Sequence, residues 1–218
     1  MRQVTLILFF LIFTFINWRQ PTIIAQDFIG QKESLLKLKD GTIRREIASF
    51  SIMSIADELQ TLPTIKVNEI PITGVNDTTA IFRKDGLLIK IFITGFDTIR
   101  HRLTYNNSQL HFLILIDGKP FYGTGCEVPK TKIKSVIFQN GQQSFRFTAN
   151  AISGLYEPKF FHTNTITNQV EMSCKVFQSI DKRRHYIYME NSDGAGFYVL
   201  TWLIQDNEYT TRFVDYGF

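Results

Sequence analysis

After about residue 80 the apolar positions fall at a spacing of two or in short unbroken runs, and turn residues close nearly every run. That is the signature of strands rather than helices, since a period of two places alternate side chains on opposite faces of a sheet. Residues 87–94 predict one such strand. Ile99, His101, Leu103 and Tyr105 alternate with Thr98, Arg100, Arg102 and Thr104 and predict another, with one face on a core. Residues 110–116 are almost wholly apolar and predict a central strand covered on both sides. Residues 133–138, 144–148, 170–177, 185–190, 197–204 and 208–214 complete the set. The Asx-Gly steps Asp40-Gly41, Asp85-Gly86, Asp117-Gly118, Asn140-Gly141 and Asp193-Gly194 supply the positive φ angles that tight hairpins need.

Roughly ten strands at hairpin spacing predict an all-β chain, an antiparallel β-sandwich or open barrel with one or two short helices. Ser54 followed by Asp57 and Glu58 predicts a short helix to Thr61, stopped by Pro63, and residues 150–156 predict another turn or two before Pro158. The stretch 61–79 contains Pro63, Pro71, Gly74 and Asn76 and is the most loop-like segment. The 35 residues before it, 26–60, are too few for a core of their own. They are expected to add an edge hairpin to one sheet, leaving a single domain over 26–218.

The start of the chain follows a different pattern. Arg2 precedes an apolar stretch over 4–16, and Ile23-Ile24-Ala25 ends on a small residue, so residues 1–25 are expected to be a signal peptide cleaved after Ala25. The stretch is short for a membrane span, and Asn17, Arg19 and Pro21 interrupt its extension. The expected location is secreted or periplasmic, with no integral span after cleavage. Removing residues 1–25 takes away Arg2 and Arg19 and no acid, which lowers the formal charge from +4 to +2. Such a balance argues against nucleic acid as a partner. The one local basic cluster, Lys182-Arg183-Arg184-His185, is expected as a solvated turn before a strand, the sharper alternative being a patch for an anionic sugar, a lipid head group or an acidic partner.

Two cysteines, Cys126 and Cys174, are the candidates for a disulfide in an oxidising compartment, worth about 4 kcal/mol if the two positions meet. Two buried free thiols or a nucleophilic Cys are the alternatives. Their separation, and the scatter of His101, His111, His162 and His185, give no metal-ligand spacing, and no cofactor signature occurs. His101 and His111 flank Asn106-Asn107 and are placed to face each other across a hairpin.

Ser153-Gly154 and Ser192-Asp193-Gly194 lack the frame of a nucleophile elbow. Asn191 and Asp193 supply half of a calcium loop without its later acid, which leaves a tight turn. Acids are plentiful, among them Glu127, Glu157, Glu171, Asp181 and Glu190, but a glycosidase needs two of them paired across a cleft.

Aromatic residues crowd the second half. Tyr186 and Tyr188 share the parity of Arg184 on one strand, and Tyr198 and Trp202 share a face of the next. If those faces are exposed, Arg184, Tyr186, Tyr188, Tyr198 and Trp202 form a platform for a sugar ring or a partner peptide, the alternative being core packing. The stretch from Asn191-Ser-Asp-Gly-Ala-Gly through Trp202, with Tyr209 and Arg212-Phe-Val-Asp-Tyr-Gly217, resembles the closing hairpin of uncharacterised secreted bacterial proteins. The resemblance implies secretion and a β fold and carries no activity. The expected function is a non-enzymatic recognition module for a glycan or protein of the cell envelope. The alternative is a polysaccharide-acting hydrolase or lyase that uses an Asp/Glu pair, with His185 beside it.

Overall fold

The structure, a computed structural model, describes residues 34–52, 63–107, 111–192 and 194–216, except for the side chains of Leu36 and Tyr216. The segment expected to be a signal peptide, the helix expected over 54–61, and Asp193 lie outside the described residues. After one helical turn at Leu35–Lys37 comes helix α1, Gly41–Ile47. Strands β1 (Val67–Ile70), β2 (Ile72–Asn76), β3 (Thr79–Lys84) and β4 (Leu87–Gly95) follow. Then come the short strands β5 (Leu103–Tyr105) and β6 (Leu113–Ile116), the long β7 (Thr131–Asn140) and β8 (Gln143–Arg146). Helix α2, Ala149–Ile152, precedes β9 (Phe161–Thr163), β10 (Val170–Met172), β11 (Cys174–Ser179), β12 (Arg184–Asn191), β13 (Tyr198–Gln205) and β14 (Glu208–Tyr216).

Two antiparallel five-stranded sheets carry the fold. One runs β1-β11-β12-β13-β14 and the other β2-β3-β4-β7-β8. They are joined where the chain leaves β1 and enters β2 through Pro71, which lacks the N–H that a central strand would use and suits a corner at two sheet edges. Between them lies the main core, with Phe82, Ile89, Ile91, Val136 and Phe138 from one sheet facing Val176, Ile187, Met189, Leu200, Trp202 and Ile204 from the other. Burial alternates strictly along β4, as the period of two requires. The architecture is thus an all-β sandwich and not a closed barrel.

The first β-sheet is covered on its second face as well. Leu35, Ile43 and Ile47 from the N-terminal segment pack on Phe177, Tyr186, Tyr188, Val199, Leu203 and Phe213, and Phe50 stacks on Phe177 with ring centroids 4.2 Å apart. Over the described part of 26–60, residues 34–52, a covering layer therefore stands in place of the expected edge hairpin. Asp40-Gly41 opens a helix instead of a turn: the Asp40 carboxylate accepts from the N–H groups of Thr42 and Ile43 at 2.8 and 3.0 Å, satisfying orphan donors of the first turn.

Other expectations change for equally local reasons: the stretch 61–79, expected as the most loop-like, supplies β1 and β2, the edge strands of the two main sheets, with Pro71 between them. Residues 98–100 form a helical turn capped by Asp97, which leaves Ile99 94% exposed, so of the expected alternating strand Leu103–Tyr105 is the part paired into a sheet. The apolar run at 110–116 is no central strand. Among the described residues its Leu113–Ile116 part pairs with β5 in a small two-stranded sheet, with Leu113 and Ile116 buried against Tyr156. Asp85-Gly86 (φ 47° and 85°) and Asn140-Gly141 do close the hairpins β3–β4 and β7–β8. Between β13 and β14 the same task falls to Asp206 and Asn207, both at positive φ without a glycine.

Cys126 and Cys174 are both free, and they are not within bonding distance. Cys174 points into the inter-sheet core, where burial pushes its thiol well above the ordinary range, whereas Cys126 sits in the loop beside Leu113. The sheet fixes one position and a peripheral loop the other, so even spacing never brought them together. Dithiothreitol is expected to leave the thermal midpoint unmoved, and a midpoint that falls on reduction would contradict the free-thiol assignment.

Candidate functional site

None of the five residues expected to form an exposed platform is available as one. Tyr186 and Tyr188 face the N-terminal layer, while Tyr198 and Trp202 face the inter-sheet core, and all four are buried. Their hydrogen-bonding groups are used internally. The Trp202 indole N–H donates to the Ala151 carbonyl at 2.8 Å, the Tyr198 hydroxyl donates to the Tyr156 carbonyl at 2.9 Å, and the Tyr188 hydroxyl donates to Glu190 at 3.0 Å. The side chains alternate between the two faces as the period of two dictates, but both faces of this sheet are roofed.

Arg184 is also turned inward. Its Nε and one terminal nitrogen each donate to the Glu46 carboxylate at 2.8 Å, with Asp181 3.3 Å away on the other side. The Tyr186 hydroxyl donates to the same Glu46 carboxylate. Arg183 pairs with Asp206 at 2.7 and 2.8 Å, so the expected solvated basic turn is largely neutralised. His185 is fully buried between the sheets, edge-on to Phe138, with its Nε2 2.9 Å from the Gln178 amide nitrogen. No carboxylate bonds to it among the described residues, and burial alone pushes its pKa down to about 4.

The acids proposed for catalysis are dispersed. Glu157 accepts from the backbone N–H groups of Lys130 and Thr131, Glu171 accepts from Asn164 at 2.7 Å, and Asp181 binds Ser179 and Arg183. Glu127 is exposed in the loop before β7, and Glu190 holds Tyr188.

Two histidines do join carboxylates. His101 meets Asp117 rather than His111: Lys132 Nζ donates to its Nε2 at 3.1 Å, so Nδ1 carries the proton that it gives to Asp117 at 2.6 Å. This bond, with that from the Arg102 N–H, holds the Asp117 carboxyl below its usual value. The row pins the β5–β6 hairpin onto β7, and Phe96 stacks on the His101 ring at 4.5 Å. His162 lies 2.8 Å from Ser173 Oγ through Nδ1 and 3.7 Å from Glu171 through Nε2. The order of groups is that of a nucleophilic triad, yet Ser173 is 2% exposed, which keeps its hydroxyl away from a substrate.

An open site lies at the hairpin end of the sandwich. A depression of about 520 Å³ is lined by Gln142, Gln143, Ser144 and Phe145 beside the β7–β8 turn and by Asn207, Glu208 and Tyr209 from the β13–β14 turn. The two turns are clamped together, Asn140 donating to Asn207 Oδ1 at 2.9 Å and Asn207 donating to Gln143 Oε1 at 2.6 Å. Tyr209 packs on Phe147 at 5.0 Å, which steadies its ring at the wall. Amide and hydroxyl groups that both donate and accept, beside an aromatic ring, match the hydroxyls and C–H faces of a sugar. The lining contains one carboxylate, Glu208. Sequence reasoning counted Tyr209 among the aromatics but missed the site, because its two halves lie more than sixty residues apart and neither is a motif.

Strand β8 joins this depression to the outer face of the β2-β3-β4-β7-β8 sheet. Inner positions of β3, β4 and β7 belong to the core, so their neighbours Ile81, Arg83, Leu88, Lys90, Phe92 and Ile137 point outward. Arg146, opposite Ile137, joins them from β8. No core cluster forms on this face among the described residues. No family model matches the chain, and neither a curated protein nor a solved structure matches it.

Proposed function

We propose that this protein is a non-enzymatic recognition module of the cell envelope that binds glycan at the depression between the β7–β8 and β13–β14 turns. The observation that carries the reading is the chemistry of that depression, where neutral amides, the Ser144 hydroxyl and the Tyr209 ring converge with a single acid. Hydrolysis by paired carboxylates needs a second acid some 5 to 10 Å away across the cleft. The signal-like segment over 1–25 supports delivery to the envelope and, with the amide-lined site, favours a polymer of that compartment as the ligand.

The test is titration of the purified protein against immobilised neutral and acidic polysaccharides, with released sugar assayed in parallel. Gln143→Ala combined with Asn207→Ala is expected to weaken binding about thirtyfold, the loss of two hydrogen bonds of about 1 kcal/mol each, with no product formed by either protein. Binding that is indifferent to this pair of changes removes the depression from the reading. Product release that Glu208→Gln or His162→Ala abolishes replaces recognition with hydrolysis.

A further inference from the structure

We infer that the glycan is acidic and that its negative groups lie on the outer face of the β2-β3-β4-β7-β8 sheet, held by Arg83, Lys90 and Arg146. This rests on the reading of the adjoining depression as a glycan site and adds the class of its ligand. The strands and turns of this sheet, residues 72–95 and 131–146, contain Arg83, Lys84, Lys90, Lys132, Lys134 and Arg146 against only Asp77 and Asp85. Both acids sit in hairpin turns, so the sheet face itself is of one sign. A chain whose formal charge falls to +2 without residues 1–25 has therefore concentrated an unbalanced field on one face.

The arrangement of the cations is equally specific. Cross-strand pairing sets Ile81, Lys90, Ile137 and Arg146 in one row. Strands are about 4.8 Å apart, so Lys90 and Arg146 stand about 10 Å apart with Ile137 between them. Arg83 pairs with Leu88 in the next row, diagonal to Lys90. Among the described residues Arg83, Lys90 and Arg146 make no ion pair, whereas Lys132 is engaged by His101. Free cations alternating with low aliphatic side chains suit a flat polymer that carries carboxylates or sulfates at intervals.

Continuity with the depression decides for a glycan over other polyanions. Strand β8 contributes Gln143 and Ser144 to the depression and Arg146 to the sheet face, so one polymer can cross from hydroxyl recognition to charge recognition along a single strand. Glu208 in the depression repels an acid group there and directs it onto the sheet. An anionic bilayer fits less well, because Ile81, Leu88, Phe92 and Ile137 are half-buried and none stands out to insert beneath head groups.

The experiment compares binding of the purified protein to immobilised polygalacturonate, to dextran, and to vesicles of equimolar phosphatidylglycerol and phosphatidylcholine. Polygalacturonate is expected to bind more tightly than dextran and to weaken about tenfold as salt rises from about 50 to about 200 mM. Lys90→Glu with Arg146→Glu is expected to reduce its binding at least tenfold while dextran binding stays the same, and Lys90→Gln with Arg146→Gln gives a smaller loss in the same direction should reversal disturb folding. Polygalacturonate binding unchanged in both pairs of variants, or no preference over dextran, overturns the inference while leaving glycan recognition in place. Vesicle binding that exceeds polymer binding and depends on the same two residues also overturns it and assigns the face to membrane. Absence of binding to either polymer overturns it together with the glycan reading.

Discussion

Replacing Glu46 by Ala is expected to destabilise the protein by about 3 kcal/mol, because it takes the buried, bidentate partner from the Arg184 guanidinium and leaves it only the half-exposed Asp181 3.3 Å away. Glu46 is 3% exposed at its side chain and Arg184 is 15% exposed, and the two meet fork to fork with both distances 2.8 Å. A guanidinium keeps its proton at any accessible pH even when Glu46 is gone, so Arg184 cannot escape by losing its charge. Tyr186 loses the acceptor of its hydroxyl in the same step. These contacts join α1 to β12, so the variant is also expected to loosen the layer that roofs Tyr186 and Tyr188. Urea unfolding followed by near-ultraviolet circular dichroism is the measurement: the midpoint should fall, with tyrosine asymmetry lost first. The double change Glu46→Leu with Arg184→Met should recover much of the loss, since removing both charges from a buried pair costs far less than removing one. A midpoint within about 0.5 kcal/mol of the parent for Glu46→Ala would mean that solvent reaches Arg184.

Stability is expected to decline by about 3 kcal/mol between pH 6.5 and about 4 through His185 alone. The sign follows from the direction of the shift. Burial disfavours the imidazolium, so the folded protein binds this proton only near pH 4, whereas the unfolded chain binds it near 6.5. The contribution is therefore complete above pH 6.5 and disappears as the pH falls through that window. Gln178 donates to Nε2, which places the neutral ring's proton on Nδ1, and that nitrogen has no partner among the described residues, so no nearby group is set to receive a second proton. Asp117, Asp181 and Asp206, whose carboxyls are held low by His101, Ser179 and Arg183, act only at lower pH. Asp215, raised by burial, contributes in the opposite sense. Denaturant unfolding at a series of pH values should give this slope, and His185→Met should flatten it. A parent slope equal to that of His185→Met would show that the ring is hydrated.

Fold class was legible because its signal is local. Alternation along β4, the long apolar and aromatic runs of β12 and β13, and the Asp85-Gly86 and Asn140-Gly141 turns each act within a few residues, and the backbone of those stretches adopts what their pattern dictates. Local signals also misled where a second element intervened. Asp40-Gly41 satisfies a hairpin turn and a helix N-cap equally well, and only the apolar face of Ile43 and Ile47 against Tyr186 and Tyr188 decides for the helix. The run at 110–116 has the composition of a central strand, yet its position beside β5 leaves it at the periphery.

Which side chains meet solvent belongs to the tertiary level entirely. Strand parity determined that Tyr186 and Tyr188 face one way and His185 and Ile187 the other. Whether a face is open depends on what the rest of the chain lays over it, and here segment 35–52 closes one face while the second sheet closes the other. The candidate site has the same origin. Gln143 and Asn207 come within 2.6 Å because two sheets stack and align their hairpin ends, and the separation of those residues along the chain contains no trace of that contact. By itself the sequence determined the all-β class, the long strands β4, β7 and β11 to β14 and the two faces of each, all of which depend on steric and hydrogen-bonding preferences of neighbouring residues. The stacking of the sheets decided which aromatics were buried, which cations make no ion pair among the described residues and where the depression between the hairpin turns forms, because burial is a property of the packed layers and not of any one strand.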